Sequence, residues 1–205
     1  MSTPPLEHPL EEKLGLRERK KLKTRRSIQE HALRLFREQG YEATTVEQIA
    51  EAAEVSPSTF FRYYPTKEDT ILTDEYDPLI VSSLRAQPPE LSPAQAARNT
   101  LHELVGGMLA DDRQRILERT RLMLSVNSLR ARQWDQMRET RDLLIQALAE
   151  RLDRSRADLE VRWFAAAVLG VWETTVTSWV EEDGRGDLLA TLDQAMAFLA
   201  AGCPL

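Results

Sequence analysis

An all-α fold is the expectation for this chain, with an N-terminal three-helix unit that contains a helix-turn-helix and a C-terminal helical bundle behind it. Three observations predict it. Eight glycines among 205 residues and an aromatic content of 6% leave little turn and strand chemistry for a sandwich or barrel, whereas plentiful Ala, Leu, Arg and Glu favour helices. Apolar residues recur at three- and four-residue steps. Ser, Thr and Asp stand where the stripes begin, and Gly or Pro where they stop.

Residues 1–15 are Pro-rich without apolar periodicity, the composition of a disordered tail. A first helix begins near Leu16, with Ile28, Ala32, Leu35 and Phe36 as its stripe and Gly40 as its stop. Thr44 or Thr45 caps a short second helix carrying Ile49, Ala50 and Ala53, with Glu47 or Gln48 closing a capping box. Ser56 caps a third helix over about Pro57–Tyr63, since proline suits the first helical position. Two short helices joined by a tight turn make a helix-turn-helix. Thr66 caps a long fourth helix to about Arg85, which Gln87-Pro88-Pro89 ends. Ser92-Pro93 then opens a helix to about Leu109, Asp111 another to about Ser125, and Leu129 one to Arg154. Ala157 to Glu182 is more apolar, Gly184-Arg185-Gly186 is a turn, and Asp187 opens the last helix, to Ala200. The domains read as a tail at 1–15, a helix-turn-helix domain at 16–72 and a larger helical domain at 73–205.

Net charge is −6, but it is unevenly spread: Arg17 to Glu38 holds nine basic residues against three acids, and residues 73–205 hold fifteen basic against twenty-one acidic. Only the N-terminal end is suited to meet a polyanion. The longest apolar run, Phe164 to Trp172, is too short to span a bilayer and no signal-peptide core is seen, so a cytoplasmic protein is expected. Cys203 is the single cysteine and has no internal disulfide partner. His8, His31 and His102 are scattered, and no metal-ligand, nucleophile-elbow or phosphate-loop spacing occurs. An enzyme, a metal and a cofactor are therefore not expected.

Four of the thirteen aromatic residues crowd into Ser56-Pro57-Ser58-Thr59-Phe60-Phe61-Arg62-Tyr63-Tyr64-Pro65-Thr66-Lys67. Phe60 and Tyr64, four apart, share one helical face and read as core. Phe61 and Tyr63 fall outside it. With Pro57, Ser58, Thr59 and Arg62 they form a surface of small, hydroxylic, aromatic and cationic groups, suited to a major groove or, on the plainer reading, an ordinary solvated helix face.

Residues from about Ser27 to Leu72 resemble the DNA-binding domain of TetR-family transcriptional repressors. The resemblance rests on Ile28, Ala32, Leu35-Phe36, Gly40-Tyr41, Thr44-Thr45-Val46, Ile49-Ala50, Ala53, Val55-Ser56, Thr59-Phe60-Phe61, Tyr63-Tyr64 and Lys67-Glu68, in order and at family spacing. It implies that Tyr63 and Lys67 bind phosphate, with Thr45 doing so at the second helix. Arg25 and Arg26 are placed to reach the backbone or an adjacent minor groove. Two departures stand out. Glu54 occupies a turn position where the family usually has Gly, and Phe61 replaces a Tyr, removing a hydroxyl.

The resemblance also implies a homodimer on a double-stranded operator, because a short helix-turn-helix reads few base pairs and half-sites lie about 34 Å apart. Trp163, Ala166, Ala167, Gly170, Thr174 and Thr177 trace a stripe of mostly small residues, with Leu188, Leu192 and Met196 as a matching stripe on the last helix; packing inside one subunit is the other reading. A ligand pocket follows from the family as well, with Leu104, Met108, Arg121, Met123, Leu124, Trp134, Met137 and Trp172 as candidate lining or simply as core. Arg119 to Ser125 and Leu129 to Arg132 resemble the C-terminal domain of mycofactocin-type regulators, which implies an acyl-CoA-like or other hydrophobic effector. The function expected is a repressor released from a palindromic operator by such an effector. The competing expectation is a DNA-organising or interaction protein without one.

Overall fold

The structure is a computed structural model and describes residues 15–73 and 77–204, without the side chains of residues 77, 78, 111 and 112. The tail expected at 1–15 lies outside the described residues except for Gly15. Every described element is helical, and the chain divides into two compact units after Thr73.

The N-terminal unit holds α1 (Leu16–Gln39), α2 (Val46–Ala52), α3 (Pro57–Tyr63) and α4 (Asp69–Leu72). Ile28, Ala32 and Phe36 of α1 bury the stripe that their spacing predicts, together with Ile49, Phe60, Tyr64 and Ile71. Buried Gln29 donates through Nε2 to the carbonyls of Thr70 and Thr73, both at 3.2 Å, and so fixes the end of α4 against α1. Thr45 caps α2 in a full capping box with Gln48. Ser56 caps α3, its Oγ accepting from Thr59 N at 3.1 Å.

Glu54 is left-handed, with φ 55°. It closes α2 in a Schellman arrangement, where Val55 N donates to Ala50 O at 2.9 Å and Glu54 N to Glu51 O at 3.0 Å. The turn thus keeps the backbone that glycine favours, with a glutamate in it.

The C-terminal unit holds α5 (Asp77–Ala86), α6 (Pro93–Ser125), α7 (Asn127–Leu152), α8 (Leu159–Glu181) and α9 (Leu188–Ala200). Leu84, Ala97, Leu148, Val161, Val168 and Met196 build one core cluster, and Val105, Leu117, Trp179, Leu188 and Leu192 a second. Arg151 secures the loop before α6 by donating to the carbonyls of Gln87 (2.9 Å), Leu91 (3.1 Å) and Pro88. Gly184, at φ +70°, lies where a Cβ would come within 2.9 Å of Leu117 Cδ2, so the turn before α9 packs directly on α6.

Two helix boundaries differ from the sequence expectation. The helix expected from Thr66 to Arg85 ends at Leu72, because Thr73 turns extended at φ −73°, ψ 123°; its passage through residues 74–76 lies outside the described residues. The two helices expected at 93–109 and 111–125 are one, α6. Gly106 and Gly107 cost about 1 kcal/mol each relative to Ala, but Val105 and Leu117 are buried in a shared cluster, and that packing carries the helix through.

Candidate functional site

The outward face of α3 is built by its own cap and core. Phe60 and Tyr64 point inward and are fully buried. That orientation leaves Pro57, Ser58, Phe61 and Arg62 exposed, with Thr59 and Tyr63 half-buried between them. Phe61 is 50% exposed and braced edge-on against Phe60, the ring centroids 5.6 Å apart. The Arg62 guanidinium lies 5.4 Å from the centroid of Tyr63. Ser56 Oγ lies 2.9 Å from Ser58 Oγ and donates to Thr59 Oγ1 at 3.0 Å, which orients the hydroxyls at the start of α3. Pro57, Ser58, Phe61 and Arg62 of α3 and Thr45 at the start of α2 are thus exposed, and Thr59 and Tyr63 partly so.

Two candidate phosphate ligands are held more tightly than the sequence suggests. Lys67 Nζ donates to Tyr41 O at 2.9 Å and Thr44 O at 3.2 Å and stands 4.3 Å from the Tyr41 ring centroid. An ammonium has three donors, so two are already committed inside the unit. Arg25 is half-buried, its guanidinium 5.1 Å from the Tyr64 ring centroid, and Tyr64 Oη donates to Arg25 O at 3.2 Å. Arg25 and Lys67 thus both hold the unit together from within. Arg26 is half-buried as well. Sequence reasoning missed the clamp because its partners are backbone carbonyls more than twenty residues away, which no side-chain pattern records.

In the C-terminal unit the expected ligand residues differ in burial. Leu124, Trp172 and Met137 are half-buried against the two core clusters, and Leu104, Met108 and Met123 are likewise half-buried. Arg121 is exposed and paired with Asp183 at 2.8 Å. Trp134 stands 79% exposed on α7. A surface cleft of about 450 Å³ lies elsewhere, between Gly106, Leu109, Ala110 and Arg113 of α6 and Gly186, Asp187, Leu188 and Leu189.

The stripe on α8 is mostly exposed: Trp163 (64%), Ala166, Gly170 and Thr174 are exposed, with Ala167 and Thr177 half-buried. The matching stripe on α9 is corrected. Leu188, Leu192 and Met196 are buried inside the subunit's own core, so they have no surface to give a partner. The apolar group that α9 does expose is Phe198, beside Ala197. Both faces of α9 are apolar, and periodicity alone could not say which one the subunit keeps.

Residues 28–72 match the family model described as bacterial regulatory proteins, tetR family, and residues 91–204 match the MftR C-terminal domain. The chain belongs to the TetR family. Over 94 residues this TetR-family chain is 45% identical to the HTH-type transcriptional regulator TcmR of Streptomyces glaucescens, an alignment covering 45% of this chain and 42% of TcmR. It thus spans less than half the length of that relative. It is 25% identical over 178 residues to the fatty acid metabolism regulator protein of Bacillus subtilis (strain 168), covering 83% of this chain and 91% of that one. Among solved structures, the transcriptional regulator FadR from Bacillus subtilis in complex with stearoyl-CoA is similar in fold, with a TM-score of 0.60 at 24% identity over 86% of this chain and 97% of that chain. No described helix is long and apolar enough to cross a membrane.

Proposed function

We propose that this TetR-family protein is a sequence-specific DNA-binding transcriptional repressor that works as a cytoplasmic homodimer on a palindromic operator and is released by a small apolar or amphipathic effector. The observation that carries the DNA half is the face of α3, where Pro57, Ser58, Phe61 and Arg62 are exposed on a helix locked from behind by Phe60 and Tyr64. Small residues at the start of the helix allow close approach to base edges, while Thr45, Arg62, Tyr63 and the remaining N–H of Lys67 are disposed for phosphates.

The dimer half rests on the exposed apolar groups of α8 and α9, Trp163, Ala166, Gly170 and Phe198, which a partner copy would cover. The effector half rests on the fatty acid regulators among the relatives, one of them solved with stearoyl-CoA. An acyl-CoA-like compound is therefore the first effector class to try. Release requires that it bind the DNA-free state more tightly than the DNA-bound one. Fluorescence anisotropy with operator DNA tests the whole reading: Arg62→Gln with Tyr63→Phe should weaken binding to every DNA sequence and flatten its salt dependence. Unchanged affinity and slope would remove α3 from the interface.

A further inference from the structure

One face of α7 is rich in cations that pair with no described residue. Arg130, Trp134, Arg138 and Arg141 recur at steps of four, four and three residues, so they lie within roughly 80° of arc on one side of the helix. All four are exposed. The three guanidinium groups make no hydrogen bond or ion pair with any described residue. Several other arginines in this acidic unit are committed: Arg85 to Glu150, Arg98 to Asp193, Arg121 to Asp183 and Arg154 to Asp158. Asp135, Glu139 and Asp142 of α7 project from the neighbouring sector of the helix. Arg130, Arg138 and Arg141 thus flank Trp134, the most exposed large hydrophobic side chain among the described residues.

An aromatic face among unpaired cations complements a planar, multiply charged anion: the ring stacks, and guanidinium forks take phosphate oxygens in pairs. We propose that this face of α7 binds a nucleoside phosphate moiety, its base stacked on Trp134 and its phosphates held by Arg138 and Arg141, with Arg130 on the other side of the base. Arg138 lies about 6 Å along the axis from Trp134, within reach of phosphates attached to a base on the indole. Duplex DNA fits less well, because its base faces are already stacked on one another and only its backbone would engage the arginines. The proposal concerns a surface remote in sequence from the helix-turn-helix and stands whether or not α3 reads an operator.

The test is a titration of the full-length protein with ADP, with coenzyme A and with inorganic phosphate, followed by intrinsic fluorescence and calorimetry. ADP and coenzyme A should quench saturably while phosphate does not, and Trp134→Phe should remove most of the quenching. Arg138→Gln with Arg141→Gln should weaken binding about ten-fold with unchanged melting, since both side chains are exposed and unpaired. Equal affinity for ADP and coenzyme A would mark the free nucleotide as a sufficient ligand; tighter coenzyme A would mark the nucleotide as the head of a larger one. No saturable quenching by either, identical affinity in the arginine variant, or tighter binding of a single-stranded oligonucleotide through the same residues would overturn the proposal. Operator affinity of the same preparations reports on DNA recognition separately.

Discussion

Lys67 holds Tyr41 from two directions, donating to its carbonyl oxygen at 2.9 Å and lying 4.3 Å from its ring centroid. The same ammonium reaches Thr44 O at 3.2 Å, and Tyr41 Oη donates to Glu68 Oε1 at 2.8 Å. The Tyr41 ring is buried against Phe36, their centroids 5.0 Å apart. Lys67 and Glu68 together therefore pin the loop between α1 and α2, whose carbonyls lack helical partners. This places α2, and through the tight turn at Glu54 it places α3. The outward face of α3 is set by contacts behind it.

Lys67→Met keeps much of the apolar stem and removes the donors, leaving two loop carbonyls short of a partner. The expected loss is about 1–3 kcal/mol of stability in the N-terminal unit, read by chemical denaturation in the absence of DNA. A lysine that served DNA alone would leave the denaturation midpoint unchanged, and that result would dismiss the clamp.

Glu54 leads to a gain rather than a loss. A side chain at φ 55° costs roughly 1 kcal/mol through crowding of Cβ against the backbone. The Glu54 side chain is exposed. Glu54→Gly should therefore raise stability by up to about 1 kcal/mol, less whatever the added freedom of glycine costs in the unfolded chain. A lower melting temperature in this variant would show that the glutamate contributes something the turn geometry does not reveal.

These two residues also show how far sequence carried. The α3 face was legible, because its period separates Phe60 and Tyr64 from Phe61 and Tyr63 without reference to any distant residue. The left-handed turn at Glu54 was legible as a departure from a motif. The commitment of Lys67 to the carbonyls of Tyr41 and Thr44 was not, since backbone acceptors carry no sequence signature. In the C-terminal unit, Met and Trp residues at helical spacing suited core, pocket and surface equally. Only packing decided that Met137 is half-buried while Trp134 faces outward.

The same ambiguity on α9 gives a prediction with two arms. Met196 is 1% exposed within a core cluster, so Met196→Ala should destabilise the subunit by about 2–5 kcal/mol. Trp163 on α8 is largely exposed, so Trp163→Ala should fold as well as the parent but weaken self-association. Denaturation and sedimentation velocity read the two effects. Loss of stability in Trp163→Ala with no change in sedimentation would reverse the assignment of α8 to the partner face.

Acid should remove what the Asp193 contact between α6 and α9 contributes to stability only as pH falls below the range where ordinary aspartates protonate. Asp193 of α9 accepts from Arg98 Nε at 2.8 Å and lies 3.4 Å from His102 Nδ1. The Arg98 hydrogen bond, more than the charge of Arg98 and then of His102, holds the Asp193 carboxyl below its usual range despite partial burial. A carboxylate whose pKa is lower in the folded state contributes stability that is complete above the unfolded value of about 3.9 and vanishes as pH falls through the folded one. The contribution is no more than about 1 kcal/mol, because Arg98 is substantially exposed. Asp193→Asn should therefore lower stability slightly at neutral pH, and its difference from the parent should shrink steadily below about pH 4. Measured across pH 2.5–7 by denaturant titration, a difference that stayed constant throughout would assign the loss to packing rather than to the charge of Asp193.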